Sequence, residues 1–154
     1  MESATLHLFA IVFGFFSVFA APAFAAGNSD GSSTESATAA SYVDAKAKVD
    51  AGDYDTALPM LLTLTADEPK NADAWNLLGF THRMLGHMDE SSAAYLVVLQ
   101  INPDHLGALE YQGELFLQTG KPDLARANLD RLKSLCGDCE QFEDLEKAIA
   151  ATGA

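Results

Sequence analysis

The chain has 154 residues, 49% of them hydrophobic, and 22 acidic against 9 basic residues give it a formal net charge of -13. That length fits one domain better than two, and the apolar fraction suffices for a helical core. A surface this acidic repels phosphate backbones and anionic lipid, which argues against nucleic-acid binding and leaves basic or neutral partners as the easier ones.

In chain order, the first element is a dense apolar run over 8–19 (LFAIVFGFFSVF). It has the length of a signal h-region and falls short of the roughly 20 residues that a membrane span needs. Small residues at signal-peptidase spacing follow in Ala21-Pro22-Ala23-Phe24-Ala25-Ala26. Residues 1–26 are therefore expected to be a cleavable export signal, cut after Ala25 or Ala26. The mature protein is then expected in the periplasm or secreted, without stable membrane insertion. The opening MESATLH departs from the usual pattern, since it has no Lys or Arg and carries Glu2. No cysteine lies near the cleavage region, so a lipid anchor is not supported. Residues 27–38 (GNSDGSSTESAT) hold no large apolar side chain and read as a flexible linker.

From Ala39 the apolar residues take helical spacing, interrupted by Gly and Pro at a fixed period. Gly52, Gly86 and Gly120 are successively 34 residues apart, as are Ala57, Ser91 and Ala125. Leu61, Tyr95 and Leu129 keep the step, as do Leu64, Val98 and Leu132, and Pro69 with Pro103. Each column has a physical task. The glycines stand where a helix ends and the chain turns through positive φ. The small residues let the second helix of a hairpin approach the first, and the bulky ones four and seven positions later fill the core from the same face. The prolines end each unit, because proline cannot continue a helix.

The central unit, 72–105, carries Trp75, Leu78-Gly79, His82, Gly86, Ser91, Tyr95, Val98 and Pro103 in the order W-x2-L-G-x2-Y…A-x3-F…P. It resembles the tetratricopeptide repeat family. His82 replaces an aromatic residue and Ser91 an alanine. Unit 38–71 matches in its second half (Gly52-Asp53-Tyr54, Ala57, Leu61, Pro69), with Ser41 and Asp44 where Trp and Leu are usual. Unit 106–139 keeps Gly113, Phe116, Gly120 and Ala125, but Gln112 replaces Leu and no proline closes it. The segment after Cys139 sets Phe142, Leu145, Ala148 and Ile149 on one stripe and reads as a capping helix over 139–151. The resemblance implies an all-α solenoid of three helical hairpins and a cap over 39–151. Helices are expected at 39–51, 54–67, 72–85, 89–101, 106–119, 122–135 and 139–151.

Members of that family bind peptide segments in a concave groove lined by the first helix of each hairpin. The corresponding positions are Tyr42, Lys46 and Val49 in the first unit, and Asp73, Asn76, Phe80, Arg83 and Met84 in the second. The third unit supplies Glu110, Glu114, Leu117 and Gln118. Phe80, Met84 and Leu117 suggest an apolar contact patch on solvent-facing helix positions. Some members grip a carboxylate with basic residues on the third unit. Glu110 and Glu114 at those places argue against this and predict an acidic wall that suits a basic or apolar segment. The resemblance thus implies a non-enzymatic interaction module or assembly scaffold whose partner is another protein. Self-association through Phe80 into a homodimer stays open beside it.

Cys136-Gly137-Asp138-Cys139 is the one chemically suggestive motif. In an oxidising compartment the two cysteines are expected to pair as a disulfide fastening the turn before the cap. One rival reading is a thiol-dependent redox or maturation factor, with Asp138 capping the last helix and the dipole activating Cys139, and another is a pair of free thiols or a metal shared between two chains. Asp138, Glu140 and Glu143 oppose thiolate formation there. The four histidines form no constellation, and no cofactor, metal site or catalytic motif is expected.

Overall fold

The computed structural model describes the backbone of residues 31–153 and the side chains of 41–153. The expected signal, 1–26, and the first part of the expected linker, 27–30, lie outside the described residues. Seven helices follow one another, with no strand among the described residues: α1 (Gly31–Asp50), α2 (Tyr54–Asp67), α3 (Ala72–Met84), α4 (Met88–Ile101), α5 (Leu106–Gln118), α6 (Pro122–Cys136) and α7 (Glu140–Thr152). Among the described residues no helix is long and apolar enough to cross a membrane. From α2 onward the observed ends fall within one residue of those expected. The correction concerns α1, which begins at Gly31 and takes in residues 31–38 that read as linker. Nothing between Ser32 and Asp50 is Gly or Pro, so nothing interrupts a helix propagating backward from the buried Ala45 and Val49.

One joint recurs. Gly52, Gly86 and Gly120 have φ of 74°, 80° and 72°. The next residue donates its N–H back into the ending helix in each case: Asp53 to the Lys48 carbonyl at 2.9 Å, His87 to His82 at 2.9 Å and Lys121 to Phe116 at 2.7 Å. This 6→1 bond at a left-handed residue satisfies carbonyls that a helix end would otherwise leave without partners. The linkers between hairpins repeat as well. Asn71 and His105, 34 residues apart, both cap the following helix, accepting from the Ala74 and Ala108 N–H groups at 3.0 and 3.1 Å. The third member of that column is Cys139, the N-cap of α7, so Asp138 does not cap it. Gly137, at φ 70°, stands where Pro69 and Pro103 stand in the earlier units.

The departures from the repeat pattern follow from what each position packs against. Leu78 of α3 is buried against the first hairpin. Asp44, its counterpart in the first unit, has no preceding hairpin to meet among the described residues and is exposed. Gln112, the third counterpart, is buried and accepts from Asn128 Nδ2 at 3.1 Å, while the same Asn128 amide donates to the Leu109 carbonyl at 2.9 Å. A satisfied polar pair thus takes the volume of a leucine at the α5–α6 contact. The small-residue column, Ala57, Ser91 and Ala125, is wholly buried, and so are Leu61, Tyr95 and Leu132. Each such leucine contributes about 1.5–3 kcal/mol. Phe142, Leu145 and Ile149 of α7 close the last core cluster with Leu109 and Leu132, which is the cap expected of the stripe. The helices pack too closely for side chains at Gly79 and Gly113: a Cβ there would lie 2.7 Å from the Tyr95 ring and 2.6 Å from Leu145 Cδ2.

Candidate peptide groove

The odd-numbered helices touch one another in succession, α1 with α3, α3 with α5 and α5 with α7, whereas α2, α4 and α6 make no such contacts among themselves. The first helices of the hairpins therefore form the inner, concave wall. Two depressions mark it. The larger, about 370 Å³, is lined by Tyr42, Lys46 and Val49 of α1 and by Asp73, Asn76 and Phe80 of α3. These six were expected from the sequence. Asp50, Tyr54, Leu77 and Tyr111 join them. Leu77 lies on the i, i+3, i+4, i+7 stripe begun by Asp73, and Tyr111 is its counterpart in the next unit, so the repeat spacing could have found both. The second depression, about 310 Å³, is lined by Arg83, Glu114, Leu117 and Gln118, with Ala148 and Thr152 of the cap forming its far wall. Met84 is exposed but borders neither space, and Glu110 lines neither.

Rings line the first, and Arg83 leads from them to the second. Phe80 meets Tyr54 edge-on at 6.2 Å between centroids and Tyr111 at 5.0 Å. The Arg83 guanidinium lies over Phe80 at 5.3 Å and over Tyr111 at 5.7 Å, and pairs with Glu114 at 2.5 Å. Arg83 is buried, with ring faces around it, and acts as the internal strut of the groove instead of a free ligand contact. Phe80, expected to face solvent, is half-buried between its ring neighbours for the same reason.

The acidic wall expected of Glu110 and Glu114 needs correction. Glu114 is taken by Arg83. Glu110 is only 7% exposed, and burial, reinforced by Glu114, Asp144 and Glu140 against the opposing Arg83, pushes its carboxyl up to about 8. It is largely protonated at neutral pH and presents little charge. Burial also raises the Tyr111 hydroxyl, with Glu110 and Glu114 adding to the effect. At the other end, burial and then Asp73 raise Tyr42, and Lys46 is held up by its hydrogen bond to Asp50 at 2.7 Å. The negative potential of the groove thus sits at its α1–α3 end.

The Sγ atoms of Cys136 and Cys139 lie 2.02 Å apart with the Cα atoms at 5.7 Å, a bridge across the turn into α7. Glu140 and Glu143 occupy the first turn of that helix. His82 Nδ1 and His87 Nδ1 stand 3.3 Å apart, and no group of three metal-ligating side chains occurs among the described residues.

The sequence model of the tetratricopeptide repeat family matches residues 42–105. Over 91 residues the chain is 34% identical to human general transcription factor 3C polypeptide 3, an alignment that takes in 58% of this chain and 10% of that protein. The chain thus spans about a tenth of the length of that curated relative. Among solved structures it is similar to the first TPR of Spaghetti (RPAP3) bound to the HSP90 peptide SRMEEVD. The TM-score is 0.67 at 14% identity, over 76% of this chain and 94% of that one. The Yersinia enterocolitica type III secretion chaperone SycD, in complex with a peptide of the translocator YopD, gives 0.67 at 17% identity, over 80% and 93%. PcrH in complex with the chaperone binding region of PopD gives 0.66 at 20% identity, over 76% and 88%. At such identities the likeness is one of fold.

Proposed function

The chain is a tetratricopeptide repeat protein, and on that premise we propose that it is an exported, non-catalytic interaction module that holds a segment of another protein in its concave groove. The observation that carries this reading is the ladder Tyr54–Phe80–Tyr111 lining one depression, with Arg83 leading from it to a second, on the face where the odd-numbered helices meet. Aromatic side chains half-exposed along a concave wall supply contact area at low entropic cost. The relatives of similar fold named above hold peptides or partner segments, which supports a groove of the same use here. The expected export signal over 1–26 would place the mature protein in the periplasm or outside the cell.

The Cys136–Cys139 bridge belongs to this reading as a staple. It stands at the joint where the earlier units use a proline and a side-chain cap, and Cys139 makes no capping hydrogen bond of its own. A redox role draws little support from a sulfur flanked by Glu140 and Glu143, whose charges disfavour a thiolate.

Selection of displayed peptides on the protein, followed by substitution on the two faces, tests the module. Phe80→Ala and Leu117→Ala should abolish capture while Leu96→Ala on α4 leaves it intact. Equal loss from both faces would reject the groove. The mass of the exported protein tests the signal, since retention of residues 1–25 excludes cleavage.

A further inference from the structure

The depression between α1, α3 and α5 has a composition that selects what it holds. Tyr42, Tyr54, Phe80 and Tyr111 border it, and aromatic faces carry the negative lobe of the ring quadrupole. The protein already uses two of these rings in that way, since the Arg83 guanidinium rests against both Phe80 and Tyr111. Formal charge points the same way. Asp50 and Asp73 stand against one ammonium, Lys46, which Asp50 holds at 2.7 Å. Asp73 remains, with a side chain 73% exposed. Its only partner described is His105 Nε2 at 3.0 Å. His105 Nδ1 accepts from the Ala108 N–H, so Nε2 is the nitrogen that donates to Asp73. The amide-bearing Asn76 lines the same space.

We infer that this cleft is the recognition point for a cationic side chain, arginine before lysine, on the segment bound in the groove. The inference rests on the groove reading proposed above. A guanidinium is planar, stacks on aromatic faces and can fork onto a carboxylate, which suits Asp73 among these rings better than a point charge does. The aliphatic stem of the same side chain has Leu77 and Val49 to lie against. The cleft's volume of about 370 Å³ is of the size that takes a side chain with its flanking backbone.

The test uses twelve-residue peptides selected from a random displayed library on the full chain, resynthesised with each arginine or lysine replaced in turn by citrulline or norleucine. Arginine should be enriched among the binders, and loss of one particular cation should weaken binding about tenfold. Asp73→Asn keeps an oxygen for His105 and the shape of the cleft. It should weaken the parent peptide to a similar degree while leaving the citrulline peptide nearly unchanged. Phe80→Leu should act in the same direction, with the melting transition of each variant confirming a folded protein. Binders that depend on Leu117 but carry no cation, or that show no coupling to Asp73, would overturn the cation site and leave the groove standing. A library that yields no binders would overturn both.

Discussion

Glu110→Gln should stabilise the protein at neutral pH although it removes a residue expected to bind partners. Glu110 is 7% exposed, and its carboxyl sits at about 8 against an ordinary 4.5. A carboxyl raised on folding favours the native state fully below the ordinary value, and that advantage is lost as pH rises towards the folded value. The native state therefore pays an increasing penalty between pH 4.5 and pH 8 relative to a neutral isostere. Taken whole, the interval from 4.5 to neutrality corresponds to about 3 kcal/mol. Solvent reaching the carboxyl from the groove screens the neighbouring Glu114, Asp144 and Glu140, so about 1–2 kcal/mol is expected at pH 7. Urea unfolding of both proteins at intervals between pH 4.5 and pH 8.5 reads this directly. The two curves should coincide at the acid end and separate progressively, with the glutamine protein the more stable. A glutamine variant that is less stable at pH 8 would refute the reasoning, because it would mean that Glu110 is ionised and paired to Arg83. A constant difference at every pH would refute it equally.

Gly113→Ala places a methyl 2.6 Å from Leu145 Cδ2, and overpacking of this kind should lower stability by about 1–3 kcal/mol despite alanine's better helix propensity. Adding Leu145→Val should recover part of that in a double-mutant cycle, and strict additivity would refute the clash. His82 is held below its ordinary 6.5 by burial and then by His87, so its neutral form stabilises the fold above that pH and stability falls as pH drops through it. His82→Phe should flatten the acid side of a melting-temperature profile, and an unchanged slope would assign the loss to another group. Reducing the Cys136–Cys139 bridge should lower stability by no more than about 2 kcal/mol, because the closed loop is so short. Larger losses in calorimetry with reductant would mean that α7 undocks.

Much of the architecture was legible because its constraints are periodic. A turn that needs positive φ, a helix contact that needs a small residue and a joint that needs a cap each recur every 34 residues, so one column checks another. The start of α1 was not legible, since the Ser/Thr/Ala stretch after Gly31 has no apolar stripe and reads as linker whether or not a packed helix extends into it. At the groove, the repeat placed Tyr42, Lys46, Asn76 and Phe80 around one space. It could not foresee the ionic state of the wall. That Glu114 is consumed by Arg83 and that Glu110 is protonated depend on distances between α3, α5 and α7, which no spacing along the chain encodes. Gln112 is a similar case: its odd chemistry makes sense only beside Asn128 of α6.

The recurring glycine joint has a consequence for the length of the array. The backbone geometry at Gly52, Gly86 and Gly120 is the same, and Asn71 and His105 hand one hairpin to the next in the same way, so neither junction depends on its place in the series. Hairpin number is thus a separable property of this protein. A second copy of residues 72–105 spliced in after His105 would meet surfaces already built to receive it, and the groove would grow by one step while both ends kept their own chemistry.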